Sequence, residues 1–577
     1  MDSKFLDLFK LWIEKASGEK DLLEELRSIR KNSLEIKDRF YKDLDFGTAG
    51  MRGLIGAGTN RMNVFVVGKI TQAFCEYLKR NKKDCSVAIS YDSRNKSLEF
   101  LKCSACVFAA NGIKVYVFRN IAPVPLLSFT VRYCGFDAGV MITASHNSFQ
   151  YNGYKVFGSD GCQLLEGPAK IIYNISKKLD IFSDVKKVSF STALKKGDIK
   201  YIKKEVIEKY YENVISCFIN KNCLKDRDLK VLYTPLNGAG RKFVFDISKK
   251  VGIKNFYFVE EQKEPDINFK TCQTPNPETK KALSLGLEYC ENKKPDILIA
   301  TDPDGDRVGV AVPTTNKKKK YIVLNGNEIG IIMFYYICSQ KKSLNIMPKK
   351  PVAIKTIVSS TLFEDIAKEY KVKVINVTTG FKNIGEQITK LEKNEEADNF
   401  IFAFEESNGY LAGNYIRDKD GVCSAILLCE IASFYKKQNK TIVEVLDEIY
   451  KRYGYYLNKV ISFVFKGQKG TESMNKIMDG LRDSKLNRIA DVEVEKITDY
   501  LNKKIYDFKE KKEQNFRCKK ENILQYSMFN KASLIVRPSG TEPKIKLYFS
   551  VFETEKAKAT RLLKKLIKNF DIKQYLK

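Results

Sequence analysis

The stretch CSVAISYDSRNKSLEFLKCSACVFAANGIKVYVF, Cys85 to Phe118, holds the fold in miniature. SVAISY is an apolar, partly β-branched run of strand length. A helical stretch, Leu98 to Asn111, follows it, and Gly112-Ile-Lys then turns the chain into a second apolar run, VYVF. Two such runs joined by a helix read as a parallel βαβ unit with helices covering the sheet. The pattern returns between Leu229 and Val259 (KVLYT, a helix, Gly252-Ile-Lys, FYFV). It returns again between Pro351 and Val377 (VAIKTI, a helix, Tyr370-Lys-Val-Lys, VINV). Three units set well apart predict three similar α/β domains in tandem, with mixed sheets.

From about Tyr456 the pattern changes. LNKVISFVF, ASLIVR and KIKLYFSVF alternate with lysine-rich helices, which predicts a smaller C-terminal α+β domain with an antiparallel sheet. The expected boundaries are 1–204, 205–322, 323–455 and 456–577. A chain of 577 residues suits that number at roughly 150 residues per domain. Lys503 to Lys512 is the most linker-like stretch, though too short to part domains freely.

Composition excludes several classes. No apolar run approaches the roughly 18 residues needed to span a bilayer, and Ile329 to Cys338 reads as a buried helix. Asp2, Lys4, Asp7 and Lys10 break up the N-terminus, so no signal peptide is expected there. Phe5, Leu8, Phe9, Trp12 and Ile13 fall instead on one helical face. A cytoplasmic protein without membrane partners follows. Fourteen cysteines include one Cys-x-x-Cys, Cys103 to Cys106, inside a helical stretch, and are expected to be buried thiols. A single histidine, His146, rules out multi-histidine zinc sites. The net charge of +31 is spread along the chain with one tight run, Lys317 to Lys320. A solvated lysine surface is expected rather than a nucleic-acid interface. Attraction of anionic substrates is a further reading of the same charge.

Four loops carry chemistry. Thr143-Ala-Ser-His-Asn147, followed by Tyr151-Asn-Gly-Tyr-Lys155, lies beyond the strand Ala138 to Ile142. That strand delivers Ser145 to its C-terminal end, where a hydroxyl can hold a phosphoryl group steadied by His146 and Lys155. A polar turn with a satisfied histidine would look the same. Asp302-Pro-Asp-Gly-Asp-Arg307 follows the strand Ile297 to Ala300. Asp302, Asp304 and Asp306 at alternate positions converge when the loop curls, and few hard oxygen ligands suit Mg²⁺. Phe404-Glu-Glu-Ser-Asn-Gly-Tyr410 presents Glu405 and Ser407, which suit sugar hydroxyls. Arg537-Pro-Ser-Gly-Thr-Glu-Pro543 offers the Arg537 fork together with Ser539, Gly540 and Thr541 for a phosphate, or a plain hairpin turn. A nucleophile, a metal site, a hydroxyl reader and a remote phosphate anchor are together the parts of phosphoryl transfer on a phosphosugar.

These motifs resemble the α-D-phosphohexomutase superfamily, and most of all its phosphoglucomutase-2-like branch. Asp38-Arg-Phe-Tyr41, Phe46-Gly-Thr-Ala-Gly-Met-Arg-Gly53 and Gly58-Thr-Asn-Arg-Met-Asn63 support the resemblance. So do Tyr91-Asp-Ser-Arg94, Pro275-Asn-Pro-Glu278, Thr379-Gly-Phe-Lys-Asn-Ile-Gly385 and Arg417-Asp-Lys-Asp420, and the match runs nearly the whole chain. It implies four domains around a central cleft, a phosphoserine at Ser145, and one Mg²⁺ held by Asp302, Asp304, Asp306 and the serine phosphate. Glu405 and Ser407 would contact the sugar; Arg537, Ser539, Gly540 and Thr541 would hold its distal phosphate. Arg52, Arg307, Lys155, Lys355, Thr379, Gly380, Lys382 and Lys419 match cleft positions. The implied activity is interconversion of glucose 1-phosphate and glucose 6-phosphate, primed by glucose 1,6-bisphosphate. Pentose and mannose phosphates are the alternative substrates, and the chain would be a monomer or weak dimer. One departure is visible: Ser148 stands where the nucleophile loop usually has proline after its asparagine.

Overall fold

The computed structural model describes residues 3–47, 50–80, 82–225, 228–315, 320–465, 469–539 and 544–576. It divides into two compact units, Met1–Gly326 with Phe381–Ile442, and Asn327–Gly380 with Val443–Lys577.

The first unit holds two sheets built to one plan. Strands β1 (Met51–Leu54), β2 (Ser86–Tyr91), β3 (Lys114–Val117), β4 (Ala138–Ile142), β5 (Tyr151–Gly158) and β6 (Ile199–Tyr201) lie in the order β1-β5-β4-β2-β3-β6. β4, β2, β3 and β6 run parallel, and β5 and β1 close one side antiparallel. β7 (Lys230–Thr234), β8 (Asn255–Phe258), β9 (Ile297–Thr301), β10 (Val308–Pro313) and β11 (Tyr321–Leu324) repeat this as β11-β10-β9-β7-β8. Again β8, β7 and β9 are parallel, while β10 and β11 are antiparallel additions. The parallel strands that lead into the site loops, β4 and β9, are buried along their length, as their unbroken apolar runs require, while β3, β6 and β8 are only partly buried.

The third repeat contributes a parallel pair to the second unit, β12 (Val352–Thr356) and β13 (Lys373–Val377). It contributes an antiparallel pair to the first unit, β14 (Phe400–Glu405) and β15 (Gly409–Leu411). The second unit also carries the expected C-terminal antiparallel sheet. Its strands are β16 (Tyr455–Val464), β17 (Arg488–Ile489), β18 (Val492–Asp499), β19 (Lys504–Asp507), β20 (Lys512–Asn515), β21 (Leu524–Met528), β22 (Ser533–Pro538) and β23 (Lys544–Glu553). The long β16–β23 pairing and the helices Lys469–Asp483 and Lys556–Asn569 enclose one core. The α/β reading of the chain, with an α+β C-terminal part, stands. Lys503 to Lys512, however, is no linker. Lys504 pairs with Asn515 and Asp507 with Lys512, so this polar stretch is a β-hairpin. Its ladder is backbone-driven, and charged side chains on an outlying pair hide it from an apolar pattern.

The helix Ser3–Lys15 is docked by its apolar face. Phe9 and Trp12 are fully buried, while Phe5, Leu8 and Ile13 pack partly buried against the same core. Trp12 meets Phe40, Phe65 and Phe182 edge-on at 5.4 to 5.8 Å. Among the described residues the cysteines form no disulfide, and burial raises the Cys103 thiol to about 11, which leaves it protonated. Among the described residues no helix is long and apolar enough to cross a membrane. The lysine run at 317–319 lies outside the described residues.

Replacing Trp12 with alanine leaves a large void among three aromatic rings and should cost about 3–5 kcal/mol. The urea midpoint of the first unfolding transition, read by circular dichroism, should fall accordingly.

Candidate active site

Ser145 sits on the loop between β4 and β5, two residues beyond Thr143, which follows the strand and holds it. Thr143 Oγ1 accepts from the Ser145 amide at 2.7 Å. Ser145 has a left-handed backbone, φ +53°, unusual for a side chain with a Cβ and typical of residues aimed by their surroundings. Its Oγ donates to Asp302 Oδ2 at 2.8 Å and lies 3.2 Å from His146 Nδ1. Arg52, on β1, donates to the Asn147 side chain of the same loop at 3.0 Å. Lys155 lies on β5, opposite Met141 of β4, which carries its ammonium into the same space.

The aspartate loop leaves the end of β9. Asp302 Oδ1 accepts the amides of Asp306 (3.1 Å) and Arg307 (3.0 Å), and the Gly305 amide closes the turn on the Asp302 carbonyl. Gly305 takes φ +67°, and a Cβ there would meet Pro123 at 2.8 Å, so the loop needs glycine at that point. Asp302, Asp304 and Asp306 are all buried, with ligand oxygens within 4.8 Å of one another. Lys155 Nζ lies 2.6 Å from Asp304 and 3.3 Å from Asp306; Lys419 Nζ lies 3.3 Å from Asp306 and 3.0 Å from Asp418. Arg307 pairs with Glu278 at 2.5 Å.

Burial sets the protonation states, and neighbouring charges correct them. Burial, reinforced by Asp304 and Asp306, pushes Asp302 well above the usual carboxylate range. Burial acts on Asp306 in the same sense, but Lys155, Lys419 and Arg307 outweigh it and hold that carboxyl low. Burial opposes charge on Lys155, yet Asp304 and Asp306 raise its pKa. His146 is held well below its ordinary value, by burial and then by Arg307 and Arg52, so its ring is neutral. Glu405 is raised by burial.

Glu405 ends β14 and Lys419 approaches it at 3.9 Å. Ser407 lies in the turn before Asn408, whose φ is +59°. Asn408 in turn exchanges hydrogen bonds with Val308, just past the aspartate loop. The helix Gly421–Lys436 begins against that loop too: the Gly421 amide donates to the Gly305 carbonyl at 3.2 Å. Asp420 caps this helix, accepting from the Cys423 amide and from the hydroxyls of Tyr210 and Tyr415. Lys382 lies in the first turn of the helix Phe381–Lys393, and its carbonyl accepts from the Cys162 thiol.

The first unit therefore gathers Ser145, His146, Lys155, Arg52, Arg307, the three aspartates, Glu405 and Lys419. Lys355, Thr379, Gly380, Arg537 and Ser539 belong to the second unit. There Lys355 is buried on β12 and pairs with Glu364 at 3.1 Å; Gly380 has φ +102°. The Ser539 amide donates to the Lys544 carbonyl at 2.7 Å. Gly540 and Thr541 lie outside the described residues. Two partners of site residues went unassigned in the sequence reading, Glu278 and Asp418. A charge tally around Arg307 and Lys419 calls for such carboxylates but does not say which of the chain's seventy acidic residues supply them.

The aspartate cluster fits a divalent cation. Asp304 Oδ1 and Asp306 Oδ1 are buried with no hydrogen-bond partner, and oxygens so placed beside a third carboxylate are a hard-cation donor set.

Four family models match the chain: phosphoglucomutase/phosphomannomutase alpha/beta/alpha domain I over residues 43–181, domain II over 208–316, domain III over 325–453, and the C-terminal domain over 486–566. The phosphoglucomutase of Staphylococcus haemolyticus (strain JCSC1435) is 35% identical over 525 residues, covering 89% of this chain and 91% of that protein. The phosphoglucomutase of Staphylococcus saprophyticus is 34% identical, covering 94% and 96%. Among solved structures, Paramecium parafusin, a phosphoglucomutase in its open form, shares the fold with a TM-score of 0.69 at 17% identity, covering 92% of this chain and 96% of that one. A phosphoglucomutase/phosphomannomutase family protein of Burkholderia thailandensis aligns with a TM-score of 0.65 at 18% identity, covering 91% and 96%.

Asp302→Asn keeps the backbone hydrogen bonds of the loop and removes one anionic ligand. Losing a ligand should weaken binding of a divalent cation at least as much as the about 10–100-fold that losing a supporting partner costs. Calorimetric titration of EDTA-treated protein with Mg²⁺ measures it.

Proposed function

Since the chain belongs to the phosphoglucomutase/phosphomannomutase family, we propose that it interconverts glucose 1-phosphate and glucose 6-phosphate through a phosphorylated Ser145. It is a phosphosugar mutase, an intramolecular phosphotransferase of the isomerase class. The observation that carries the proposal is the 2.8 Å approach of Ser145 Oγ to Asp302 within the aspartate cluster.

In this reading the phosphoryl group on Ser145 passes to the free hydroxyl of the bound hexose monophosphate. The bond from Ser145 Oγ to phosphorus breaks as the bond from the sugar oxygen forms. The hydroxyl proton passes to His146, whose ring is neutral, and from it to the departing Ser145 Oγ, which lies 3.2 Å from His146 Nδ1. The product is glucose 1,6-bisphosphate and free Ser145. The bisphosphate turns over in place, and its other phosphoryl group passes to Ser145, releasing the isomeric monophosphate. A Mg²⁺ ion held by Asp302, Asp304 and Asp306 would supply positive charge where the serine oxygen becomes anionic. Arg307, fixed by Glu278, and Lys155 hold cationic charge beside the transferring group. Arg52 steadies the loop through Asn147. Glu405 and Ser407 read sugar hydroxyls, Lys419 stands beside Glu405, and Lys382 contributes to substrate binding. Lys355, Thr379 and Gly380 contribute to substrate binding, and Arg537, Ser539, Gly540 and Thr541 hold the phosphate that is not reacting. The enzyme works in the cytoplasm as a monomer or weak dimer, and its partners are phosphosugars rather than nucleic acid or membrane.

Mass spectrometry of the purified protein should find a phosphoryl group on Ser145. Ser145→Ala should abolish turnover of glucose 1-phosphate in an assay coupled to glucose 6-phosphate oxidation. Near-normal turnover by that variant would reject the proposal.

A further inference from the structure

The loop that carries Ser145 holds itself by few backbone bonds, among them Asn147 to Ala144 and Tyr151 to Ser148. Three carbonyls of the loop between β4 and β5, and that of Tyr151 at the start of β5, meet one buried cation. Arg94 Nη2 donates to the carbonyls of Ser145 and Asn147, each at 2.5 Å, and Arg94 Nη1 donates to those of Ser148 (2.8 Å) and Tyr151 (3.0 Å). Arg94 itself is 2% exposed. Its Nε faces Asp92 Oδ2 at 3.3 Å, and its guanidinium lies 5.3 Å from the Phe269 ring. Asp92 is tied back to the same loop, since it accepts from Thr143 Oγ1 at 2.7 Å, the atom that in turn accepts the Ser145 amide. Asp92 also accepts from Ser97 Oγ and the Arg94 amide, so it is anchored at the start of the helix Ser97–Ala110.

We infer that Arg94 is the positioning residue of the nucleophile: by drawing the carbonyls of Ser145, Asn147, Ser148 and Tyr151 to one planar fork, it holds Ser145 in its left-handed conformation and aims Oγ at Asp302. This rests on the reading of Ser145 as the phosphoryl carrier. Arg94 is not itself set against substrate; it acts through the loop backbone. Only a guanidinium suits the task. Its donors lie in one plane and point to both sides, whereas a lysine ammonium is a single point with three donors and cannot span four carbonyls. Ser148 makes the dependence sharper in this chain. It lacks the ring of a proline, so the backbone there is fixed by its carbonyl, which serves Arg94 and the Tyr151 amide together.

The test is Arg94→Lys, assayed on the full chain for steady-state turnover and for phosphorylation of the dephosphorylated enzyme by glucose 1,6-bisphosphate. Misaiming a reacting oxygen by about 1 Å costs about 100-fold, so kcat and the Ser145 phosphorylation rate should both fall by about that factor. KM for glucose 1-phosphate should change by less than about 3-fold, because the sugar and phosphate readers are untouched. A kcat within about 3-fold of the parent enzyme would overturn the inference. Should Arg94→Lys fail to fold, Thr143→Val, which removes the link between Asp92 and the Ser145 amide at equal volume, must show the same split, lower kcat at steady KM. Its absence overturns the inference equally. If the parent enzyme carries no phosphoryl on Ser145, the functional reading fails; if it does and the variants transfer at full speed, only the role of Arg94 fails.

Discussion

Three carboxylates buried within 4.8 Å of one another are the constraint around which the site is organised. Taking such charges out of water is costly unless cations or hydrogen bonds answer them. The chain answers with Lys155 from one sheet, Lys419 from the loop before the helix Gly421–Lys436, and Arg307 from the aspartate loop itself. Each of these cations therefore has two duties. It stabilises a folded arrangement that would otherwise repel itself, and in the proposed reaction it supplies positive charge to a phosphoryl group.

That arrangement follows from the repeated sheet plan. In both sheets of the first unit an antiparallel strand is added beside the parallel core, and the reactive loop lies between the last parallel strand and that addition: β4 to β5 for Ser145, β9 to β10 for the aspartates. The C-terminal ends of parallel strands are where α/β proteins present ligands, since the loops there are free to take special geometry. Here two of them supply complementary halves, a hydroxyl and a metal-type donor set. The turn β14–β15 joins the second half through Asn408 and Val308. Backbone conformations that are costly elsewhere, Ser145 at φ +53° and Asn408 at φ +59°, occur at these loops.

Much of this was legible in the sequence because it is local. Parallel strands are continuous apolar runs, so KVLYT and VAIKTI declare themselves. The aspartate loop is contiguous, so its convergence follows from alternate spacing and one glycine. What was not legible depends on residues far apart in the chain or on backbone atoms. Glu278 reaches Arg307 across 29 positions, and nothing in Pro-Asn-Pro-Glu marks it as that partner. Arg94 grips carbonyls, which no residue pattern encodes. The hairpin β19–β20 is polar on its face and looks like linker, because its pairing is made by amides and carbonyls rather than by apolar side chains.

In the proposed reaction Ser145 lends its phosphoryl group to the sugar and recovers one. Rapid-quench mixing of phosphorylated enzyme with an equal amount of glucose 1-phosphate tests this most directly. Glucose 1,6-bisphosphate should form as phosphoenzyme disappears, at a rate no slower than kcat. Steady conversion of glucose 1-phosphate with the serine phosphate left untouched would contradict it.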